Sequence, residues 1–391
     1  MKRMNIGNEA QFQIYQMRLT GQYGGDPLCI SMEDWVARAR EVLSPEAFWY
    51  LAGGSGRGET MRANEEAFAK WRIVPRVFRD VSVRDLSIEL FGERLPYPVL
   101  LAPIGVQSIL HADGEVAAVR GAAKVGLPYI VSSASTMPLE TIAEKAPGAT
   151  LWFQLYWSRD RDVAQSFVRR AEAAGCKALV VTLDTPMMAW RERDLERAYL
   201  PFLLGEGLGN YLSDPAFRAK LRRPPEEDPA SAILLWTQIF GHPGLTCDDL
   251  DWLRETTDLP LLLKGILHPD DAEEAFRRGA DGIIVSNHGG RQVDGAVPSL
   301  DALVAIRERV GREKVVLMDG GVRRGSDVVK ALALGANAVL VGRLYAYGLA
   351  VDGERGVETV LRYLLADFDL TMALSGHRSL STLDVRALAR A

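Results

Sequence analysis

The chain has 391 residues, 48% of them apolar and 25% charged, with a formal net charge of −5. That length admits one large domain or two ordinary ones, and the composition suits a chain that buries its core without staples. The mild acidity argues against nucleic acid and against an anionic membrane surface as partners, since both select basic patches.

In chain order, MKRMNIGNEAQFQIYQ has no apolar core, so no signal peptide is expected. Two helices are predicted next, SMEDWVARAREVL and SPEAFWYLAGG, in a flank covering residues 1–95 that plugs or borders the rest. GGSGRG (Gly53 to Gly58) lacks the G-K-[ST] of a phosphate loop and reads as a flexible turn. Eight short apolar runs follow: YPVLLAPIG from Tyr97, YIVSSAS from Tyr129, TLWFQLY from Thr150 and ALVVTLD from Ala178, then PLLLKGI from Pro260, GIIVSNH from Gly282, KVVLMDGG from Lys314 and AVLVGR from Ala338. Each reads as a strand buried on both faces. Segments such as DRDVAQSFVRRAEAAG lie between them, with acidic or hydroxyl starts and glycine stops that mark helices. None of the apolar runs is long enough to span a bilayer.

Eight β-α units predict an α/β fold, a (β/α)8 TIM barrel in one domain over 1–391. The competing arrangement is a doubly wound open sheet, but no G-x-G-x-x-G follows the first strand. One connection is long: about eighty residues separate the starts of the fourth and fifth strands. The extra segment, 185–255, mixes aromatic residues with arginines. It is expected to be a lid, with a subunit contact or a solvated insertion as the alternative. The cysteines Cys29, Cys176 and Cys247 lie far apart with no C-x-x-C, which suits a reducing cytoplasm and a structural role. The five histidines include no H-E-x-x-H, so no metal site is expected.

In such a barrel chemistry gathers at the C-terminal strand ends. Those ends carry Pro103, Ile104 and Gly105, then Ser132, then Gln154 and Tyr156, then Thr182 and Asp184 with Arg191 beyond. Lys264 follows on the fifth strand, Ser286, His288 and Arg291 on the sixth, and DGGVRRG (from Asp319) and VGR (to Arg343) on the last two. Glycines with Arg323 and Arg343 at the last two ends fit a phosphate. The wall of Ser132, Gln154, Thr182 and Lys264 is polar where a core is apolar, and a flavin ring satisfies such a set. Arg291 can fork onto a carboxylate, His288 can take a hydroxyl proton, and Asp184 can support the imidazole. Together these suggest oxidation of a 2-hydroxy acid.

The motifs SNHGGRQVDG, MDGGVRRG, ALALGA, LLLKGI, FQLY and TLDTP resemble those of the FMN-dependent 2-hydroxy-acid oxidases and dehydrogenases, from about Met32 to Leu380. The resemblance implies FMN as cofactor, His288 as base, Asp184 as its partner and Arg291 with Arg191 as the carboxylate pair. It implies Tyr50 and Tyr156 at the substrate and Lys264 at the flavin N1 edge. It also implies Ser132, Gln154, Thr182 and Ser286 as further flavin contacts, and Asp319, Gly321, Arg323, Gly342 and Arg343 at the ribityl phosphate. Within the family the resemblance is nearest to lactate 2-monooxygenase. It rests there on Gly105 in APIGV, the long segment from WRERDL to NYLSDPAF, and FGHPGLTCDDLDW.

That group turns L-lactate and O2 into acetate, CO2 and water. A simple oxidase releasing a 2-keto acid and peroxide, a quinone-linked dehydrogenase, a non-redox phosphate-binding isomerase and a binding-only protein are the other readings. A homotetramer or homo-octamer is implied by the resemblance alone.

Overall fold

The computed structural model describes residues 5–20 and 29–391, so the first four residues of the N-terminal stretch read for a signal lie outside it. Eight parallel strands close into a barrel: β1 (Val99–Leu101), β2 (Tyr129–Ser132), β3 (Leu151–Tyr156), β4 (Leu179–Thr182), β5 (Leu261–Ile266), β6 (Gly282–Val285), β7 (Val315–Met318) and β8 (Ala338–Val341). Closure is made by Val339 to Val341 of β8 lying beside Val99 to Leu101 of β1. This is the TIM barrel expected from the strand count.

The continuous apolar runs follow from burial on both faces. Leu100, Ile130, Trp152, Val180, Leu262, Ile284, Leu317 and Leu340 fill the interior. Their neighbours Val99, Leu101, Val131, Phe153 and Val181 face the surrounding helices, as the two-residue period of a strand requires. Among the described residues no helix is long and apolar enough to cross a membrane.

The flank is richer than two helices. It holds Ile6–Leu19, Met32–Val42, Pro45–Ala52 and Glu59–Ala69. The plug is a hairpin, Ile88–Leu90 with Glu93–Leu95, whose Leu90 and Leu95 pack into the barrel interior. Strands of three residues are too short to show a period, which is why the sequence does not announce them. The first helix is anchored by a buried fork: Arg84 Nε and Nη2 each donate at 2.6 Å to Asp369, whose Oδ2 also accepts from Gly7 N at 3.1 Å.

The 185–255 segment is folded. It contains the helices Pro229–Ile239 and Asp248–Thr256 and buries Phe202, Leu208, Tyr211, Phe217 and Trp236. Its centre is fastened to the loop after β2, where Asn210 Nδ2 donates to Ser132 O at 3.1 Å and to Ser135 Oγ at 2.8 Å. GGSGRG is not a free turn either. Ser55 N and Oγ donate to Gly290 O at 2.9 and 3.1 Å, and Gly56 N donates to Trp190 O at 2.9 Å. Of the cysteines Cys176 is buried in the core and Cys29 packs against it partly covered, while Cys247 is exposed, so a packing role fits the first two.

Candidate active site

The turn after β6 sets the centre of the site. His288, Gly289 and Gly290 are successive left-handed residues, with φ of 58°, 61° and 76°. A Cβ at Gly290 would sit 2.6 Å from Met61 N, and one at Gly289 would sit 3.0 Å from Arg343 Nη1. The backbone approach leaves no room for a side chain at Gly290, and the left-handed φ favours glycine at both positions, while His288 adopts a conformation that a side chain disfavours. Its amide donates to Ser286 Oγ at 3.0 Å.

His288 Nδ1 lies 2.8 Å from Asp184 Oδ1, and Nε2 lies 3.4 Å from Tyr156 OH. The carboxylate fixes the proton on Nδ1 and leaves the Nε2 lone pair facing Tyr156. Room for Asp184 comes from β5, which bulges after Lys264: a Cβ on Gly265 would sit 2.7 Å from Asp184 Cβ. Burial is the largest influence on His288 and drives its pKa down; Asp184 opposes this, and Lys264 and Arg191 reinforce it. Burial pushes the Asp184 carboxyl up, but His288, Lys264 and the Thr185 hydroxyl outweigh it and hold the group below its usual range. The pair therefore presents a neutral imidazole backed by a carboxylate, the arrangement of a general base.

Two arginines face the same space. Arg291 Nη1 donates to Tyr50 O at 2.7 Å and Gly53 O at 2.9 Å, and its guanidinium carbon lies 5.1 Å from the Tyr50 ring centroid. Arg191 Nε donates to Arg291 O at 3.1 Å, and its Nη2 to Gln292 Oε1 at 3.3 Å. Among the described residues neither is paired at close range with a carboxylate; Asp194 Oδ2 stands 4.0 Å from Arg191 Nη1. Two cations with N–H groups to spare fit a substrate carboxylate.

These groups line a cavity of about 1230 Å3, its open mouth included. Its walls include Tyr50, Pro103, Ile104, Gly105, Tyr156, Arg191, Lys264, His288 and Arg291, and farther along Asp319, Gly321, Arg323, Gly342 and Arg343. Asp184 stands behind His288. Ser132, Gln154, Thr182 and Ser286 are buried but are not among the lining residues. The first three form a chain instead: Ser132 Oγ donates to Gln154 Oε1 at 2.8 Å, and Gln154 Nε2 to Thr182 Oγ1 at 2.9 Å. Ser286 Oγ accepts from Lys264 Nζ at 2.9 Å.

The lining fits a flavin phosphate. Among the described residues no donor reaches the buried Asp319 Oδ1, a state that calls for a hydroxyl such as those of the ribityl chain. Burial and the neighbouring Arg291 and Arg323 push Arg343 down to about 9, a cost that an anion removes. Arg343 meanwhile donates to Leu51 O, Gly53 O and Gly289 O at 2.8 to 3.1 Å.

Several residues of the site went unread in the sequence. Gln292 Nε2 donates to Asp184 O at 2.6 Å, tying the His288 turn to the end of β4. Val106, Ile109, Leu110, Phe202 and Phe240 form the apolar wall. They sit in short 3-10 turns or at helix ends, where no periodicity marks them.

About nine-tenths of the chain matches known proteins. The family model described as FMN-dependent dehydrogenase covers residues 39–390. L-lactate oxidase of Lysinibacillus sphaericus (strain C3-41) is 46% identical over 357 residues, 91% of each chain. 2-Hydroxyacid oxidase 1 of Mus musculus is 40% identical over 360 residues, 92% of this chain and 96% of its own. A solved mandelate oxidase with (S)-4-hydroxymandelic acid superposes with a TM-score of 0.82 at 40% identity, covering 92% of this chain and 98% of that one.

These relatives correct the nearest resemblance. They are oxidases, not lactate monooxygenase, and an oxidase matches this chain over nearly its full length. Gly105 has a packing reason of its own, since a Cβ there would lie 2.5 Å from Ala134 O. The chain belongs to the FMN-dependent dehydrogenase family and is an FMN-dependent oxidoreductase acting on 2-hydroxy acids.

Proposed function

We propose that the protein is an L-2-hydroxy-acid oxidase, converting a 2-hydroxy acid and O2 into the 2-keto acid and hydrogen peroxide. The observation that carries this is the His288–Asp184 pair, bonded at 2.8 Å beside two arginines in one cavity. FMN, when bound, would supply an acceptor for the substrate C2 hydrogen together with its electron pair, and O2 would then take up both electrons to give peroxide. Lys264 and the Pro103–Gly105 backbone would hold its ring edge, Asp319 its ribityl chain, and Gly321, Arg323, Gly342 and Arg343 its phosphate arm. Ser132, Gln154, Thr182 and Ser286 support that wall from behind.

Arg291 and Arg191 receive the substrate carboxylate and fix its plane. Tyr50 and Tyr156 border the same pocket, with Tyr156 OH close to His288 Nε2. His288 Nε2 takes the hydroxyl proton. Asp184 holds the ring through Nδ1–H and stabilises the imidazolium as it forms. The wall of Val106, Ile109, Phe202 and Phe240 receives the apolar substituent on C2, and L-lactate is the smallest substrate of that kind. The start of the 185–255 segment supplies Met188 and Arg191 to this pocket and acts as its cover.

The test is turnover of the FMN-loaded protein with L-lactate and O2, with the products quantified. Pyruvate and peroxide in equal amounts are expected. Acetate and CO2 in place of peroxide would return the monooxygenase reading. An FMN-loaded protein whose flavin is reduced by no 2-hydroxy acid would overturn the proposal.

A further inference from the structure

Asn64 lies on the flank helix Glu59–Ala69 and is 2% exposed. It is absent from the cavity lining, yet it supports two turns that line it. Its carboxamide pairs reciprocally with that of Asn287, the residue before His288: Asn64 Nδ2 donates to Asn287 Oδ1, and Asn287 Nδ2 to Asn64 Oδ1, both at 2.8 Å. Asn64 Oδ1 also accepts from Ser299 N at 3.1 Å, and Ser299 Oγ accepts from Asn287 N at 3.2 Å. Asn287 Oδ1 in turn accepts from Gly290 N at 3.2 Å, closing the left-handed turn.

The other side of Asn64 meets the turn after β7. A Cβ on Gly321 would lie 2.4 Å from Asn64 O, and one on Gly320 would lie 3.2 Å from Asn64 Nδ2. Both glycines line the cavity on the proposed phosphate side.

We propose that Asn64 is a positioning residue whose buried carboxamide sets the His288 turn and packs beneath Gly320 of the turn after β7, so that base placement and cofactor affinity both depend on that one amide. The inference rests on His288 being the base. Its cofactor arm does not depend on which 2-hydroxy acid is oxidised.

The test compares wild type with Asn64→Ala and Asn64→Asp. The first leaves the Asn287 carboxamide half-paired. The second keeps an acceptor for Asn287 Nδ2 and Ser299 N but sets a carboxylate oxygen against Asn287 Oδ1, and it preserves shape if the alanine variant fails to fold. FMN affinity is read by quenching of free FMN fluorescence on binding to apoprotein. Flavin reduction by L-lactate is read anaerobically at saturating FMN. The dissociation constant for FMN is expected to rise, and the limiting reduction rate to fall, each by about tenfold or more. The half-saturating L-lactate concentration is expected to stay within about threefold, because Arg191 and Arg291 are untouched. A variant that loses only thermal stability overturns the proposal. So does one in which FMN affinity changes alone or reduction rate changes alone.

Discussion

Replacing Asp184 by asparagine removes the negative charge that meets His288 Nδ1 at 2.8 Å while keeping an oxygen able to accept the same hydrogen bond. An imidazolium and a carboxylate bonded at that distance have charge centres about 4 Å apart, worth about 4 kcal/mol at an effective dielectric of about 20. Only part of that charge has developed on the ring in the transition state, so the expected loss is about 2–4 kcal/mol, or roughly 30- to 1,000-fold in rate. The assay is anaerobic stopped-flow bleaching of the FMN absorbance against L-lactate concentration, across pH. His288 already titrates below its ordinary value because of burial, so in the wild type the base is neutral at pH 7 and activity falls only as pH drops through that lowered pKa. Asp184 opposes this lowering, so its loss should move the acidic limb to still lower pH while the plateau drops. The substrate concentration at half-saturation should change little. A plateau within about threefold of wild type, or an acidic limb moved upward, refutes the assignment of His288 as base and Asp184 as its support.

Other substitutions probe the surrounding parts. Arg291→Lys should raise half-saturating L-lactate by about tenfold or more, because an ammonium cannot copy the planar fork; steady-state kinetics with the FMN-loaded protein reads this directly. Gly290→Ala should destabilise the protein by at least about 2 kcal/mol in denaturant unfolding, since its φ is positive and its new Cβ meets Met61 N at 2.6 Å. Arg84→Ala, far from the cavity, should cost about 3–5 kcal/mol, because it strands the Asp369 carboxylate, 3% exposed, without its cation. In that variant whatever FMN-loaded protein remains folded should turn over at the wild-type rate.

The barrel was legible because eight doubly buried strands leave eight apolar runs, and because barrels place reactive side chains where those runs end. His288, Arg291, Asp184 and Lys264 could be named from that rule before any contact was known. The hairpin at 88–95 could not, since three-residue strands carry no period. Asn64 was invisible for a different reason: it sits on an ordinary helix and matters only through a partner 223 residues away. Ser132, Gln154 and Thr182 were visible as polar strand ends, but their bonding to one another depends on the register between β2, β3 and β4. Gly105 shows the opposite error. Its smallness carried part of the nearest resemblance, and the approach of Ala134 O gives it a packing reason as well.

Residues 50–53 lend backbone carbonyls to two of the barrel's arginines: Arg291 bonds Tyr50 O and Gly53 O, and Arg343 bonds Leu51 O and Gly53 O. A splice between relatives placed near residue 95 would look harmless on a strand diagram, yet it would hand those guanidinium groups a foreign seat. Chimeras of such enzymes should inherit the 50–53 corner and the arginines from one parent, and libraries that shuffle the front separately from the staves should yield folded but sluggish offspring.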